Sequence, residues 1–140
     1  MVKGFYYLSG PHKGTPEQEA YRIETSLKLT VEFLTQDIYV FSPIVYSIKI
    51  AEALYCSSIE ERRQIIFPYL LTFLKASKGM IVVTMEGWKE SWGVRQELQF
   101  CQENQIPVYT VDPDEASGDL SQILFEPLDQ RQLDRLLEAA

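Results

Sequence analysis

A three-layer α/β fold, with a parallel sheet covered by helices on both faces, is predicted from three features of the chain. Four strand-like runs, Phe5–Ser9, Ile38–Phe41, Gly79–Met85 and Ile106–Val111, are rich in β-branched and aromatic residues. Helical periodicity fills the intervals between them. No repeat, low-complexity stretch or linker interrupts the alternation, and strands alternating with helices build parallel sheets. The length of 140 residues fits one domain, residues 1–140, with a single sizeable core.

Taken in order, Phe5–Ser9 reads as a buried strand at the centre of the sheet, and Gly10–Gly14 as the loop after it. Thr15-Pro16-Glu17-Gln18 starts a helix. Thr15 caps it, Pro16 suits the first helical position, and Gln18 completes a capping box. Ala20, Ile23, Leu27, Val31 and Leu34 keep the helical period to about Thr35. Ile38–Phe41 is a short second strand, ended by Ser42-Pro43. Helices are expected over Val45–Tyr55 and over Ile59–Ser77, the latter broken near Pro68. Gly79–Met85 is followed by a helix that runs to about Asn104. After the strand Ile106–Val111, the polar segment Asp112–Asp119 reads as a loop. Gln122–Glu126 is expected as a short edge strand. Asp129 with Gln132 caps a last helix that holds Leu133, Leu136 and Leu137 on one face.

The bulk numbers narrow the function. Hydrophobic residues make up 46% of the chain and charged ones 24%, as in ordinary soluble globules. A formal net charge of -7 and a pI near 4.7 disfavour a nucleic-acid polymer as partner, but not a small nucleotide held in a local site. The N-terminal apolar run is too short for a signal peptide, and no run reaches membrane-spanning length. Cys56 and Cys101 read as reduced thiols of a cytoplasmic protein, with Cys101 packed on an apolar helix stripe. His12 is the single histidine and no Cys/His cluster exists, so neither a metal nor another cofactor is expected. Lys13-Gly14-Thr15 lacks the upstream glycine spacing of a phosphate loop.

The segment from Met85 to Leu98 carries the strongest functional signal. Val94, Leu98 and Cys101 are spaced i, i+4, i+7 and form the inward stripe of a helix. Glu97 falls on that same stripe, and a buried carboxylate is costly without a partner or a task. In open parallel sheets ligands bind beyond the carboxyl ends of the strands. Here those ends are Ser9-Gly10, Ser42-Pro43, Glu86-Gly87 and Asp112-Pro113.

The Ser-x-Gly-Val-x-x-Glu-Leu string, Ser91 to Leu98, resembles the nucleophile segment of the nucleoside 2-deoxyribosyltransferase superfamily, which includes 2′-deoxynucleoside 5′-monophosphate N-hydrolases. Tyr6-Tyr7-Leu8-Ser9-Gly10-Pro11 resembles its first strand and substrate loop. Arg22 stands where the family often has an arginine. Phe41-Ser42-Pro43-Ile44, with Ser47 and Ile50-Ala51, resembles one branch of that superfamily, as does the string Gly-Trp-x-x-Ser-x-Gly-Val. The resemblance covers most of the chain to about Val111. It implies a flavodoxin-like sheet, N-glycosidic chemistry and a dimer-based homo-oligomer that completes each site with a neighbour's residues.

It also implies roles, each with a plainer alternative. Cleaving a base from deoxyribose passes through an oxocarbenium-like sugar, which a carboxylate stabilises or captures covalently. Glu97 takes that role, or else is an ordinary helix glutamate that pairs with a lysine or arginine or reaches solvent past the helix end. Tyr7 hydrogen-bonds the carboxylate, or else packs in the core beside Tyr6, which alternation sends to the opposite face. Ser9, Gly10, Ser42, Gly87, Ser91 and Gly93, with Arg22, form the substrate loops, although Ser91 also reads as a helix cap. Trp88 and Trp92 stack on a base, or pack; for Trp92 packing or a dimer contact is preferred.

Two departures count against full activity. The resembling enzymes usually carry an aspartate on the helix before the third strand, where this chain aligns Leu70. No Asp or Glu lies between Arg62 and Lys78, so a leaving-group acid has to come from elsewhere, such as Glu86, Glu90 or Asp112. The branch also tends to have a histidine where Ile48 stands. The expected function is N-glycosidic hydrolysis or deoxyribosyl transfer on a nucleoside or nucleotide. The alternatives are a weak or inactive relative that binds a nucleotide-like ligand as a sensor or interaction module, and a purely structural dimer.

Overall fold

The computed structural model describes residues 2–54, 56, 58–116 and 118–138. Four strands form one sheet: β1 (Tyr6–Ser9), β2 (Val40–Phe41), β3 (Met80–Val83) and β4 (Val108–Val111). Their order is β2-β1-β3-β4 and every neighbouring pair is parallel. Tyr7 pairs with Phe41 on one side and Met80 on the other. The three-layer, flavodoxin-like expectation therefore holds, with β1 inside the sheet. The strand order reverses between β1 and β3, the place where such sheets open a ligand crevice.

Two cores follow from strand alternation. Tyr7, Met80, Val82 and Val108 face one way, against α3 (Ile59–Ala76), α4 (Trp92–Asn104) and α5 (Gln130–Glu138), through Leu74, Val94, Leu98, Cys101 and Leu133. Leu8, Ile81, Val83 and Val111 face the other way, against Leu29 and Phe33 of α1 (Pro16–Thr35). Ser9 is two residues from Tyr7, so it shares Tyr7's face and looks toward α4. The 0% exposure of Tyr7 and 1% of Ser9 fit that placement.

The helix caps are chemical and local. Thr15 Oγ1 accepts from Gln18 N–H at 3.1 Å, and Gln18 Oε1 accepts from Thr15 N–H at 2.9 Å, closing the expected capping box. Asp129 and Gln132 close the same arrangement ahead of α5. Ser42 Oγ accepts from Val45 N–H, so α2 (Pro43–Ala53) starts two residues earlier than expected, with Pro43 in the first turn. Its expected end at Tyr55 lies outside the described residues.

Two expectations are corrected. Gln122–Glu126 is not an edge strand, because Leu120–Phe125 is a 3-10 helix. Asp119 Oδ1 accepts from Ser121 N–H, Gln36 Oε1 accepts from Leu120 N–H, and Leu120 is buried in the α1-side core. These side-chain bonds fix a local turn in place of a strand ladder. Nor does Pro68 break α3, which is continuous from Ile59 to Ala76. Pro68 is exposed, as is Gln64 one turn before it, so the carbonyl that loses its partner stays on a solvent side. Among the described residues, no helix is long and apolar enough to cross a membrane.

Candidate active site

The face shared by Tyr7 and Ser9 meets the first turns of α4. Ser91 Oγ accepts from Val94 N–H at 3.3 Å, which starts α4 and sets its rotation. That rotation turns Val94, Glu97, Leu98 and Cys101 inward together. Glu97 is only 6% exposed. Tyr7 Oη donates to Glu97 Oε2 at 2.5 Å, and Ser9 Oγ donates to Oε1 at 2.7 Å. One hydroxyl thus holds each oxygen, and the carboxylate's orientation is fixed. The contacts span 90 and 88 residues of sequence, so the strand–helix packing itself builds the site.

Burial dominates the electrostatics. It raises the Glu97 carboxyl to about 7, while the hydrogen bonds from Tyr7 and Ser9 pull the other way. Burial and the nearby Glu97 charge push the Tyr7 phenol far above its usual range, so it remains a donor. The same two causes raise the Cys101 thiol, which packs against Met80 sulfur at 3.9 Å and is not a nucleophile candidate.

A cavity of about 480 Å³ opens over Glu97. Gly10, Arg22, Gly87, Ser91 and Gly93 line it, as expected of residues at and beside the loops that follow β1 and β3. Arg22 also has a structural task. Its Nη1 donates to the Lys13 carbonyl at 2.6 Å and its Nη2 to the Glu86 carbonyl at 3.0 Å. It ties the β1–α1 loop to the β3–α4 loop with its terminal nitrogens, and is 6% exposed. Gly87 is the counterpart of that tie. Its φ is +94°, and a Cβ there would fall on the Arg22 guanidinium. Ser9 spends its proton on Glu97, so it serves the carboxylate before any sugar hydroxyl.

Besides Ser9, the structure separates two more expected residues from the cavity wall. Ser42 is buried as the α2 cap, and its neighbours Pro43 and Ile44 line the cavity instead. Trp88 packs against the core around Tyr7, with the Lys89 ammonium 5.5 Å from its ring. The cavity tryptophan is Trp92, in edge contact with Phe67 at 5.0 Å. Trp92 opens onto the cavity because it begins α4 beside Ser91, and it also packs on Phe67, the role preferred for it from sequence. Leu70, at the position of the missing carboxylate, does line the cavity. Of the three proposed acids, Glu90 lines it. Glu86 borders a smaller groove beside Tyr21, and Asp112 Oδ1 accepts from Asp114 N–H in its own turn.

Arg62 and Arg63 were not expected, yet both line the cavity from the start of α3. The signal was present. Ile59, Arg62, Ile66 and Leu70 are spaced i, i+3, i+7, i+11, so Arg62 is a charge on an apolar stripe, the pattern that singles out Glu97.

Residues 6–112 match the family described as Domain of unknown function (DUF1937). The chain belongs to this family. The match runs from β1 to the end of β4 and so includes Tyr7, Ser9, Glu97 and both arginines. No curated protein matches the chain.

Proposed function

We propose that this DUF1937 protein cleaves or transfers an N-glycosidic bond of a nucleoside or nucleotide, with Glu97 as nucleophile or charge stabiliser. The observation that carries the reading is a buried carboxylate gripped at both oxygens by Tyr7 and Ser9, beneath a cavity at the carboxyl end of the sheet. Two of its roughly four lone-pair positions are used by those bonds, which leaves others for an anomeric carbon. The low-polarity surroundings that raise its pKa also strengthen its pull on a developing oxocarbenium charge. Trp92 and Phe67 supply an aromatic wall suited to a base. The resemblance to nucleoside 2-deoxyribosyltransferases supports the same chemistry.

Leu70 favours a second reading, a ligand-binding relative with little turnover. A hydrocarbon cannot protonate a departing base, and losing a general acid costs about two to four powers of ten in rate. Among the described residues, Glu90 is the other carboxylate lining the cavity, and it is exposed. Base release from deoxynucleosides and their monophosphates separates the readings. The expected result is faint release from natural substrates, clear release from an analogue with an activated leaving group, and none in Glu97→Ala. Release unaffected by Glu97→Ala overturns the assignment; no release from any of them, activated analogue included, favours the binding module.

The proposal includes a dimer-based homo-oligomer. Its support is the exposed apolar side chains of α2 and α3, among them Tyr46, Ile50, Ile65 and Tyr69. Light scattering at micromolar concentration is expected to give a mass of at least two chains. A monomer under those conditions contradicts it.

A further inference from the structure

The chain carries a formal charge of -7, yet its cavity is bordered by Lys13, Arg22, Arg62 and Arg63. Against these four cations stand Glu90 and Glu97, and Glu97 is only partly ionised near neutral pH. Among the described residues, Lys13, Arg62 and Arg63 make no ion pair. The Arg63 guanidinium lies 4.3 Å over the Trp92 ring, which holds a planar cation at the cavity wall without neutralising it. Arg62 Nε is shut off from solvent and, among the described residues, has no hydrogen-bond partner. Buried donors of that kind are rare and call for a missing partner. His12, also on the wall, reports the local field. Burial lowers its imidazole pKa, and Lys13, Arg22 and Arg62 lower it further, against an opposing pull from Glu19.

We propose that Arg62, Arg63 and Lys13 form a phosphate-binding wall, so that the cavity takes a phosphorylated ligand, a nucleotide or sugar phosphate, in preference to an uncharged nucleoside. Guanidinium forks suit phosphate oxygens, and two adjacent arginines on one helix turn supply them side by side. A phosphate dianion there balances the excess cations. The anion site stands on these cations alone; only the sugar attached to it rests on the glycosidic reading.

Titration calorimetry with 2-deoxyribose, 2-deoxyribose 5-phosphate, inorganic phosphate and inorganic pyrophosphate tests the wall without needing the base. The sugar phosphate is expected to bind at least about tenfold more tightly than the sugar, because charge-assisted bonds outweigh neutral ones. Arg62→Gln and Arg63→Gln should each erase most of that preference, with folding checked by the thermal midpoint. Lys13→Gln, on an exposed loop, should fold normally and lose a smaller share. Pyrophosphate binding well above phosphate supports the wall and assigns it to a diphosphate group. Equal affinity for sugar and sugar phosphate overturns the proposal, as does a preference that survives in all three variants. The two readings fail separately. Arginine-dependent phosphate binding in a protein that releases no base upholds the wall and sinks the glycosidase. Base release from deoxynucleosides with no gain from a phosphate does the reverse.

Discussion

Glu97→Gln is expected to lower kcat/KM for base release on the order of 10³-fold or more, about 4 kcal/mol of transition-state stabilisation. The amide keeps the shape of the carboxylate and retains acceptors and donors for Tyr7 and Ser9, so the loss reads charge and not collapse of the site. The same carboxylate sets the pH profile. The acting form is ionised, and burial holds the group at about 7. The wild-type rate should therefore climb about tenfold per unit below pH 7 and level off above it, since kcat/KM follows the free enzyme. Tyr7→Phe removes a hydrogen bond that favours the ionised form, so its rising limb should move to higher pH. A profile with no rising limb between about pH 5.5 and 8.5 would contradict this assignment. So would a Tyr7→Phe limb displaced to lower pH.

How much of this was legible in the sequence depends on the range of the interaction. Capping boxes at Thr15 and Asp129, and the period-2 and period-3.6 patterns, are local, and the elements appear where those signals put them. Glu97 was legible for the same reason, as one charge on the apolar stripe of Val94, Leu98 and Cys101. The failures are tertiary. Gln122–Glu126 has strand-like composition, but Gln36, 84 residues away from Leu120, captures a backbone donor and favours a 3-10 turn. Pro68 ends helices in general, yet α3 carries it on its outer side while Leu70 and Leu74 hold the helix to the sheet. The structural tie made by Arg22 is not legible either, because its partners are backbone carbonyls, one of them 64 residues away at Glu86, which no side-chain pattern reveals. Arg62 was missed although the stripe rule that found Glu97 applies to it.

The buried carboxylate should also weaken the fold, and the effect has a definite sign. An unfolded chain releases the Glu97 proton near 4.5, the folded chain near 7. Between these values the folded state binds more protons, so stability is greatest below pH 4.5 on this account and is lost as pH rises to about 7. The full difference of about 2.5 units corresponds to roughly 3 kcal/mol. Glu97→Gln cannot ionise and escapes that cost. Its stability relative to the wild type should therefore improve by about 2 kcal/mol between pH 5 and pH 8, read from urea melts at each pH. The excess negative charge of the rest of the chain is common to both proteins and largely cancels in the difference. A variant whose advantage does not change with pH would show that Glu97 titrates like an exposed carboxylate, which is incompatible with the environment that the catalytic reading requires. An inactive Glu97→Gln that is also the more stable protein at pH 8 is the joint result expected of a residue kept for chemistry at the expense of the fold.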